Sequence, residues 1–339
     1  MKLLSKIKHA ELIHFSEDDL TISTYAGNIK VAYSNREEFN IKLPMPFLHR
    51  LFKNFRIFRR LFRIDKVNIT VVNKQSLLLM IIYQGCVYRY DNKIKFVHKL
   101  KNGSSLLHNS IAVTPYGIYF GEYANYSHGV VINVHNIDLK VTKGDIVYSF
   151  PESTVKHIHS CAWDPYDSKI WILTGDDGDE CKIMTADHNF NNISIIGQGG
   201  QIWRAVSIVF KSNYVYWFMD SPIDVSRVVK YSRVYQSTQL LQEFEGPIWY
   251  VKELSDNSYI LSTVVEPGDS ADNKYVYVYH STDLENWKKI HTFEKDLFSG
   301  PYFKFSTLFF SSGRQSKSCF YISAQSIKHM DGCSYKCSI

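Results

Sequence analysis

The stretch that decides the fold reads Asp164-Pro165-Tyr166-Asp167-Ser168-Lys169-Ile170-Trp171-Ile172-Leu173-Thr174-Gly175-Asp176. It begins with a polar turn, since Asp and Pro favour the backbone conformations that tight turns require. A short and very apolar strand over Ile170 to Leu173 follows, and it ends at a glycine and an acidic residue. This order of turn, buried strand and polar cluster predicts one hairpin of an all-β domain.

The same pattern recurs along the chain at intervals of about 40 to 60 residues, which indicates a repeat architecture. The second strand of each repeat is predicted at Leu20 to Thr24, Leu77 to Ile82, Gly117 to Phe120, Ile170 to Leu173, Tyr214 to Phe218, Tyr259 to Thr263 and Cys319 to Ile322. The repeats lack amphipathic helices, which argues against an α/β fold. We therefore predict a single β-propeller domain over residues 1–339 with seven four-stranded blades, with an all-β sandwich as the alternative.

The composition excludes several classes of protein. The 339 residues are 45% hydrophobic and 21% charged, with a net charge of +6, which is ordinary for a globular domain and not for a disordered chain. The basic N-terminus lacks the apolar stretch of a signal peptide, and six dispersed cysteines indicate free thiols, so we expect a cytoplasmic protein. No nucleotide-phosphate loop or basic stripe is present, so we expect no cofactor and no nucleic-acid partner.

A basic amphipathic insertion at 44–65, between the first two predicted blades, departs from the repeat. Its apolar residues stand at positions 48, 51, 52, 55, 58 and 62, and its basic residues at 50, 53, 56, 60 and 63. This spacing predicts a short helix near 47–64. Either its basic residues from Arg50 to Arg63 make peripheral contact with anionic lipid, at the inner membrane, or its Phe and Leu stripe packs on the propeller with the arginines in solvent.

Polar residues collect in the loops at one end of the predicted blades. Loops that leave the second strands carry Glu122, Tyr123, Asp176, Asp220 and Glu266. Loops that enter the innermost strands carry His108, Lys156, His157, His159, Gln201, Trp203, Arg204 and Lys304. Because both kinds of loop lie on one face of a propeller, we expect these residues to converge on one mouth of the channel. Convergent titratable groups in a concavity indicate a ligand or active site.

Two pairs of neighbours within this set suggest specific chemistry. His157 and His159 alternate along a predicted strand and point to one face, where they can act as base and acid, hold a divalent metal with a carboxylate, or form a buried structural pair. Arg204 beside Trp203 suits a carboxylate clamp next to an indole that stacks on a sugar. The alternative places Trp203 in the core between blades and pairs Arg204 with Asp176 or Asp220.

The stretch Ser281-Thr282-Asp283-Leu284-Glu285-Asn286-Trp287 follows an alternating strand. It is similar to the Asp-box hairpin of the sialidase-like propellers, although it is one residue short and lacks the glycine of that motif. The resemblance implies that Asp283 closes the turn and Trp287 packs between blades. Sialidase activity itself needs three arginines around a carboxylate, whereas only Arg204 and Arg227 come near the expected mouth.

The stretch from His157 to Asp176 also resembles the inner blade of propeller glycosidases and polysaccharide lyases. In such lyases a histidine and a tyrosine perform β-elimination on a uronate, and an arginine neutralises its carboxylate. The resemblance implies His157 or His159 as the base, Tyr123 as the proton donor and Arg204 as the neutralising group.

Hydrolysis is the other reaction that the predicted site suggests. It would need two carboxyls ~5 to 9 Å apart, for which Glu122 with Asp176 or Asp220 is the candidate pair. The sequence therefore predicts an enzyme that cleaves an acidic oligosaccharide or polysaccharide by elimination or hydrolysis. The alternative is a non-catalytic propeller that binds a glycan or scaffolds partners at a membrane where polysaccharide is assembled.

Overall fold

The computed structural model describes residues 1–34, 38–103, 105–124 and 130–339. Over these residues the chain forms seven four-stranded antiparallel sheets and three short α-helices. Six of the sheets are each built from four strands that are consecutive in the chain. A succession of seven such sheets is the arrangement of a seven-bladed β-propeller, so the predicted fold class is confirmed.

The elements follow one another in a simple order. The chain starts with β1 (Lys2–Ile7), β2 (Leu12–Glu17), β3 (Leu20–Tyr25), β4 (Asn28–Tyr33) and β5 (Phe39–Lys42), and continues with the helices α1 (Phe47–Phe52) and α2 (Arg56–Leu61). Two sheets follow as β6 (Val67–Asn73), β7 (Leu78–Tyr83), β8 (Cys86–Tyr90) and β9 (Ile94–Lys99), then β10 (Ala112–Thr114), β11 (Gly117–Gly121), β12 (Asn133–Ile137) and β13 (Gly144–Ser149). The next two are β14 (Ile158–Asp164), β15 (Lys169–Thr174), β16 (Lys182–Ala186) and β17 (Ile193–Gln198), then β18 (Ala205–Phe210), β19 (Tyr214–Met219), β20 (Ser226–Ser232) and β21 (Ser237–Phe244). The chain ends with β22 (Ile248–Glu253), β23 (Tyr259–Thr263), β24 (Tyr275–Ser281), β25 (Lys288–Glu294), α3 (Gly300–Phe303), β26 (Thr307–Phe310), β27 (Phe320–Gln325) and β28 (Cys333–Ser338).

The chain divides into two compact units. The first comprises Met1–Lys66, Ser221–Ser226 and Gln242–Ile339, and the second comprises Val67–Asp220 and Arg227–Leu241. The first unit holds the sheets that begin at β2, β22 and β26, together with the three helices. The second unit holds the sheets that begin at β6, β10 and β14 and most of the sheet that begins at β18.

All seven predicted second strands are second strands in the structure. They are β3, β7, β11, β15, β19, β23 and β27. Their side chains are mostly buried on both faces, which is why each reads in the sequence as a continuous apolar run. In the second unit, for example, Trp171 and Leu173 of β15 pack with Val215 and Trp217 of β19 in one apolar cluster.

The last sheet is completed by the first strand of the chain. β1 pairs antiparallel with β28, with Leu3 opposite Cys337 and Ile7 opposite Ser334. The strand order is β1, β28, β27, β26, so β1 is the outer strand. This pairing ties both ends of the chain into one sheet and satisfies the backbone groups that β28 would otherwise leave open at an edge.

Asp283 closes the hairpin from Ser281 to Trp287. Asp283 Oδ1 accepts hydrogen bonds from the backbone N–H groups of Glu285 and Asn286, at 2.9 and 2.8 Å. Burial opposes ionisation of Asp283, but the hydrogen bonds from Asn286 and its neighbours outweigh this effect and hold the pKa of the carboxyl at about 2. Trp287 is buried, and its indole N–H donates to the carbonyl of Leu284 at 2.9 Å.

The insertion after β5 forms two short helices rather than one. Helix α1 ends before Lys53, and α2 begins after Phe55, whose backbone is extended. The rings of Phe52 and Phe58 lie 4.9 Å apart and those of Phe52 and Phe62 lie 5.4 Å apart, so the two helices share a small aromatic contact. Neither helix is long, and among the described residues no α-helix is both long and apolar enough to cross a bilayer.

The apolar side of this insertion is exposed and two of its arginines are buried. The alternative in which the Phe and Leu stripe packs on the propeller would place them the other way round. Arg59 and Arg60 are only 4% and 2% exposed, because carboxylates face them from the body of the first unit. The apolar side chains lie outside instead, with Phe47 68%, Leu48 63%, Leu51 52% and Phe55 58% exposed. The arginines therefore attach the two helices to the unit, and the apolar side faces solvent.

Candidate functional site

His157 and His159 lie at the start of the innermost strand of one sheet in the second unit. β14 pairs with β15, and the register shifts between Ile158 and Ser160, which places His159 in a β-bulge. A bulge inserts one extra residue and redirects a side chain, and such irregularities are frequent beside active sites. Asp176 follows the end of β15 by two residues, so the turn after this buried strand brings its carboxylate to both imidazoles.

These three residues form a compact group that we call the histidine–aspartate cluster. The Nε2 atoms of His157 and His159 are 3.0 Å apart, and Asp176 Oδ1 lies 3.2 and 3.3 Å from them. The other ring nitrogens face backbone carbonyls, with His157 Nδ1 3.1 Å from the oxygen of Ala124 and His159 Nδ1 3.0 Å from that of Ala205. The structure thus brings the two histidines and Asp176 together.

Cationic and amide groups hold the carboxylate of Asp176 in place. Lys156 Nζ lies 2.8 Å from Oδ2, and Arg204 Nη2 lies 3.5 Å from Oδ1. Gln201 Nε2 donates to the backbone oxygen of Asp176 at 2.9 Å. Gln201 Oε1 is buried and has no hydrogen-bond partner within the described part of the chain, so one acceptor beside the cluster is left for a ligand or water.

Burial and neighbouring charges shift the pKa values of the groups in the cluster. Burial opposes ionisation of Asp176, but the hydrogen bonds and charge that His157 and His159 offer when protonated outweigh this and hold the pKa of the carboxyl far below its usual range. Burial lowers the pKa of His157, against the opposing effect of Asp176. The pKa of Lys156 is raised, because its contact with Asp176 outweighs the effect of burial.

Tyr123 completes one side of this arrangement. Its ring stacks on that of His157, with centroids 4.1 Å apart and planes inclined by 20°. Tyr123 is half-buried, whereas His157 and His159 are each 2% exposed. Tyr123 is therefore more open to a ligand than either imidazole.

Arg204 pairs with carboxylates and Trp203 packs against an apolar cluster. Arg204 Nε lies 3.3 Å from Asp220 Oδ2, and its Nη1 donates to the backbone oxygen of Asp176. The ring of Trp203 is half-buried and packs against an apolar cluster, 5.4 Å from the ring of Trp217. Asp220 is buried beside Arg204, so this pair supports the loops.

Glu122 lies apart from the histidine–aspartate cluster and is fully buried. Its Oε1 accepts from the backbone of Lys101 and Asn102, and its Oε2 accepts from the backbone and side chain of Asn133. His135 Nε2 lies 3.0 Å from Oε1, and these bonds together lower the pKa of Glu122 against the effect of burial. A carboxylate with this many hydrogen bonds is suited to holding loops together rather than to catalysis.

Three other expected residues are placed as follows. His108 is buried in the segment that precedes β10. Glu266 and Lys304 belong to the first unit, where Lys304 forms an ion pair with Asp65.

The two carbonyls that hold the histidines are those of Ala124 and Ala205. They carry no signal in the sequence, because any residue supplies a backbone oxygen.

Comparisons with known proteins show the fold and no closer relationship. No protein-family profile matches the sequence, and no curated protein matches it either. Among solved structures, an oligogalacturonate lyase in complex with manganese superposes with a TM-score of 0.58 at 9% identity, covering 98% of this chain and 90% of that one. An oligogalacturonate lyase from Vibrio parahaemolyticus gives 0.52 at 9% identity, covering 90% and 87%.

A WD40 β-propeller domain is similar to the same extent. It gives a TM-score of 0.57 at 8% identity and covers 98% of this chain and 94% of that one. These likenesses extend over nearly the whole chain, and they include lyases and a WD40 domain alike. The chain is thus a seven-bladed β-propeller, and its function must be argued from the site.

Proposed function

We propose that this propeller is a carbohydrate-active enzyme that cleaves an acidic oligosaccharide or polysaccharide by β-elimination. The observation that supports this most is the convergence of His157, His159, Asp176, Lys156 and Tyr123 in the second unit. Elimination from a uronate needs a positive centre beside the carboxylate and a group that moves a proton. The cluster region offers both, and buried titratable groups gathered in this way are typical of active sites.

The geometry favours a division of roles that differs from the one the resemblance implied. Arg204 is buried and engaged by Asp176 and Asp220, so the neutralising group is better sought in Lys156, whose side chain is 36% exposed beside the histidine–aspartate cluster. Tyr123, acting as its phenolate, then takes the proton from the carbon beside the carboxylate and returns it to the departing glycosidic oxygen. This cycle breaks one C–H and one C–O bond, forms one C=C bond and the O–H bond of the departing hydroxyl, and returns Tyr123 to the phenolate.

Hydrolysis is less well supported by the carboxylates. Glu122 is saturated with hydrogen bonds, and Asp220 is 3% exposed and paired with Arg204. Of the three predicted carboxylates only Asp176 has a partly open side chain, at 17% exposure. Since inverting and retaining glycosidases both use two carboxyls, neither predicted pair supplies the two accessible groups that hydrolysis needs.

The experiment is incubation with a panel of uronate-containing polysaccharides, followed by absorbance near 232 nm and an assay of new reducing ends. We expect 232 nm absorbance and reducing ends to rise together on at least one uronate polymer. Reducing ends without absorbance would show hydrolysis instead. The absence of both signals over the whole panel would contradict the proposal and favour a glycan-binding or scaffolding propeller.

A second role, peripheral attachment to an anionic membrane, is supported by the inverted insertion. Phe47, Leu48, Leu51 and Phe55 form an apolar surface that faces solvent, and exposed aromatic and leucine side chains on short helices suit insertion at the headgroup boundary. Arg63 donates to the backbone oxygen of Pro301, so α3 lies beside α2.

The charges around this surface favour anionic rather than neutral lipid. Arg50, Lys53 and Arg63 lie in the same segment with at least part of each side chain exposed. The neighbouring carboxylates Glu11 and Asp296 are paired with Arg59 and Arg60, so they contribute little repulsion. A basic residue near an anionic surface contributes about 1 kcal/mol, and this contribution falls with added salt.

We expect the protein to co-sediment with vesicles that contain phosphatidylglycerol, and much less with pure phosphatidylcholine. Replacing Leu48, Leu51 and Phe55 together with serine should weaken binding at least ~10-fold, because these side chains lose their apolar contact with the acyl region. The matched control is Val234→Ser with Tyr235→Ser, a pair of exposed apolar residues elsewhere, at 74% and 82% exposure. Equal binding of both variants, or no binding by the wild type, would contradict this role.

A further inference from the structure

The hydrogen-bond pattern of the histidine–aspartate cluster is incomplete in a specific way. A backbone carbonyl only accepts hydrogen bonds, so Nδ1 of His157 must carry a proton to bond Ala124, and Nδ1 of His159 must carry one to bond Ala205. In neutral imidazole the other nitrogen, Nε2, then bears a lone pair. Both Nε2 atoms point at each other and at Asp176 Oδ1, so three lone pairs converge there when both imidazoles are neutral.

A second histidine pair in the same unit shows the contrasting, complete pattern. His98 Nε2 lies 2.9 Å from His135 Nδ1, and His135 Nε2 lies 3.0 Å from Glu122 Oε1. There each contact has one donor and one acceptor, since His98 donates to His135 and His135 donates to Glu122. The convergence of acceptors is therefore a property of the histidine–aspartate cluster and not of buried histidines in this chain generally.

We propose that the histidine–aspartate cluster binds a first-row divalent transition cation through His157 Nε2, His159 Nε2 and Asp176 Oδ1. A cation resolves the convergence, because neutral imidazole and carboxylate oxygen are the ligands that such ions prefer. The sequence had left a divalent metal as one of three roles for the two histidines. The three ligand atoms lie within 4.8 Å of one another, as a shared ion requires.

The separations of the ligand atoms fit such an ion quantitatively. They are 3.0, 3.2 and 3.3 Å. An ion at a bond length of about 2.1 Å from all three would then subtend ligand–metal–ligand angles of about 100°, close to tetrahedral or facial octahedral geometry. Two imidazole ligands favour zinc-like ions over magnesium or calcium, which prefer oxygen ligands throughout.

The surroundings have the features of an outer coordination shell. Ligating histidines commonly donate their second ring nitrogen to a backbone carbonyl, as His157 and His159 do here. Lys156 holds Asp176 Oδ2, which leaves Oδ1 directed at the imidazoles. Asp176 is partly exposed, so the remaining coordination positions are open to water or to a substrate.

This inference deepens the proposed elimination reaction, and its consequence for catalysis rests on that proposal. The ion would be the positive centre that the uronate carboxylate meets, a part that Arg204 cannot take while it is paired with Asp220. Tyr123 stacks on His157 and lies beside that centre, where it can move the proton.

The test is isothermal titration of the EDTA-treated full-length chain with zinc chloride, with magnesium chloride as a control. We expect one equivalent of zinc to bind in the micromolar range or tighter, and magnesium not to bind at this site. His157→Ala, His159→Ala and Asp176→Asn should each weaken zinc binding at least ~100-fold. His98→Gln, in the complete histidine pair, should leave binding unchanged.

A measurement on the wild type alone guards against variants that fold poorly. With manganese chloride as the probe, pulsed electron paramagnetic resonance should show modulation from directly coordinated imidazole nitrogen. Absence of zinc binding, absence of nitrogen modulation, or equal zinc binding by the wild type and the Asp176→Asn variant would overturn the inference. If the protein cleaves uronates but binds no ion, the proposed function stands and this inference is wrong. If it binds an ion but cleaves no uronate, the inference stands and the proposed function is wrong.

Discussion

Replacing Asp176 with asparagine is expected to lower kcat/KM on the uronate substrate at least ~100-fold, which is the range that loss of a positioned acid–base or charged group usually produces. Asp176 is the residue that contacts both histidines, Lys156 and Arg204. An amide at this position removes the negative charge that holds Lys156 and that faces the two imidazoles. Lys156 would then lose the carboxylate that orients its ammonium group and balances its charge.

The matched control for this variant is Asp145→Asn in the same unit. Asp145 is exposed and pairs with the equally exposed Lys143, so its loss should change kcat/KM less than twofold. Circular dichroism and thermal unfolding of both variants separate a chemical effect from an unfolded protein. Full activity of a folded Asp176→Asn variant would contradict the assignment of the site.

The largest effect on stability is expected for Arg60→Ala. Arg60 is 2% exposed, and its guanidinium donates to the Phe303 carbonyl, the Ser326 hydroxyl and Asp296, at 2.7, 2.7 and 2.5 Å. Alanine leaves Asp296 and the other acceptors without this partner in a mostly dry environment. Breaking a buried ion pair from one side costs about 3 to 5 kcal/mol, so we expect a loss of this size in the free energy of unfolding.

Urea denaturation followed by tryptophan fluorescence measures this loss. Arg50→Ala is the matched control. Arg50 lies in α1 of the same insertion, its side chain is exposed, and its Nε donates to the Met45 carbonyl. It should change the free energy of unfolding by less than about 1 kcal/mol. Similar denaturation curves for the two variants would show that the insertion is not attached through Arg60.

The β-strands were predictable because the burial that defines them leaves a direct trace in the sequence. A second strand such as β15 is covered on both faces, so it must be a run of apolar residues between turns. β1 left no such trace, because five of its six residues are exposed in an outer strand. Its place in the last sheet follows from pairing with β28, a contact between residues more than 300 positions apart.

The site was predictable to the extent that it depends on strand ends. His157, His159 and Asp176 were grouped correctly because they lie where loops of one sheet meet. Trp203 and Arg204 were harder to place, since an indole and a guanidinium satisfy a core or an ion pair as readily as a ligand.

The insertion shows the same ambiguity at the level of a whole segment. Periodicity revealed a helical pattern with an apolar and a basic side, but which side is buried depends on what faces it. Here the carboxylates of Glu11 and Asp331 come from distant parts of the chain and pair with Arg59 and Arg56, next to Asp65 of the segment itself. No pattern within the segment itself contains that information.

The central claim is that an acidic saccharide binds at the histidine–aspartate cluster. The most direct measurement is a crystal structure of the protein soaked with a uronate trisaccharide. We predict difference density for one uronate carboxylate beside His157, His159 and Asp176, with Tyr123 against the sugar. A trisaccharide bound away from these residues, or none bound at a saturating concentration, would contradict the account.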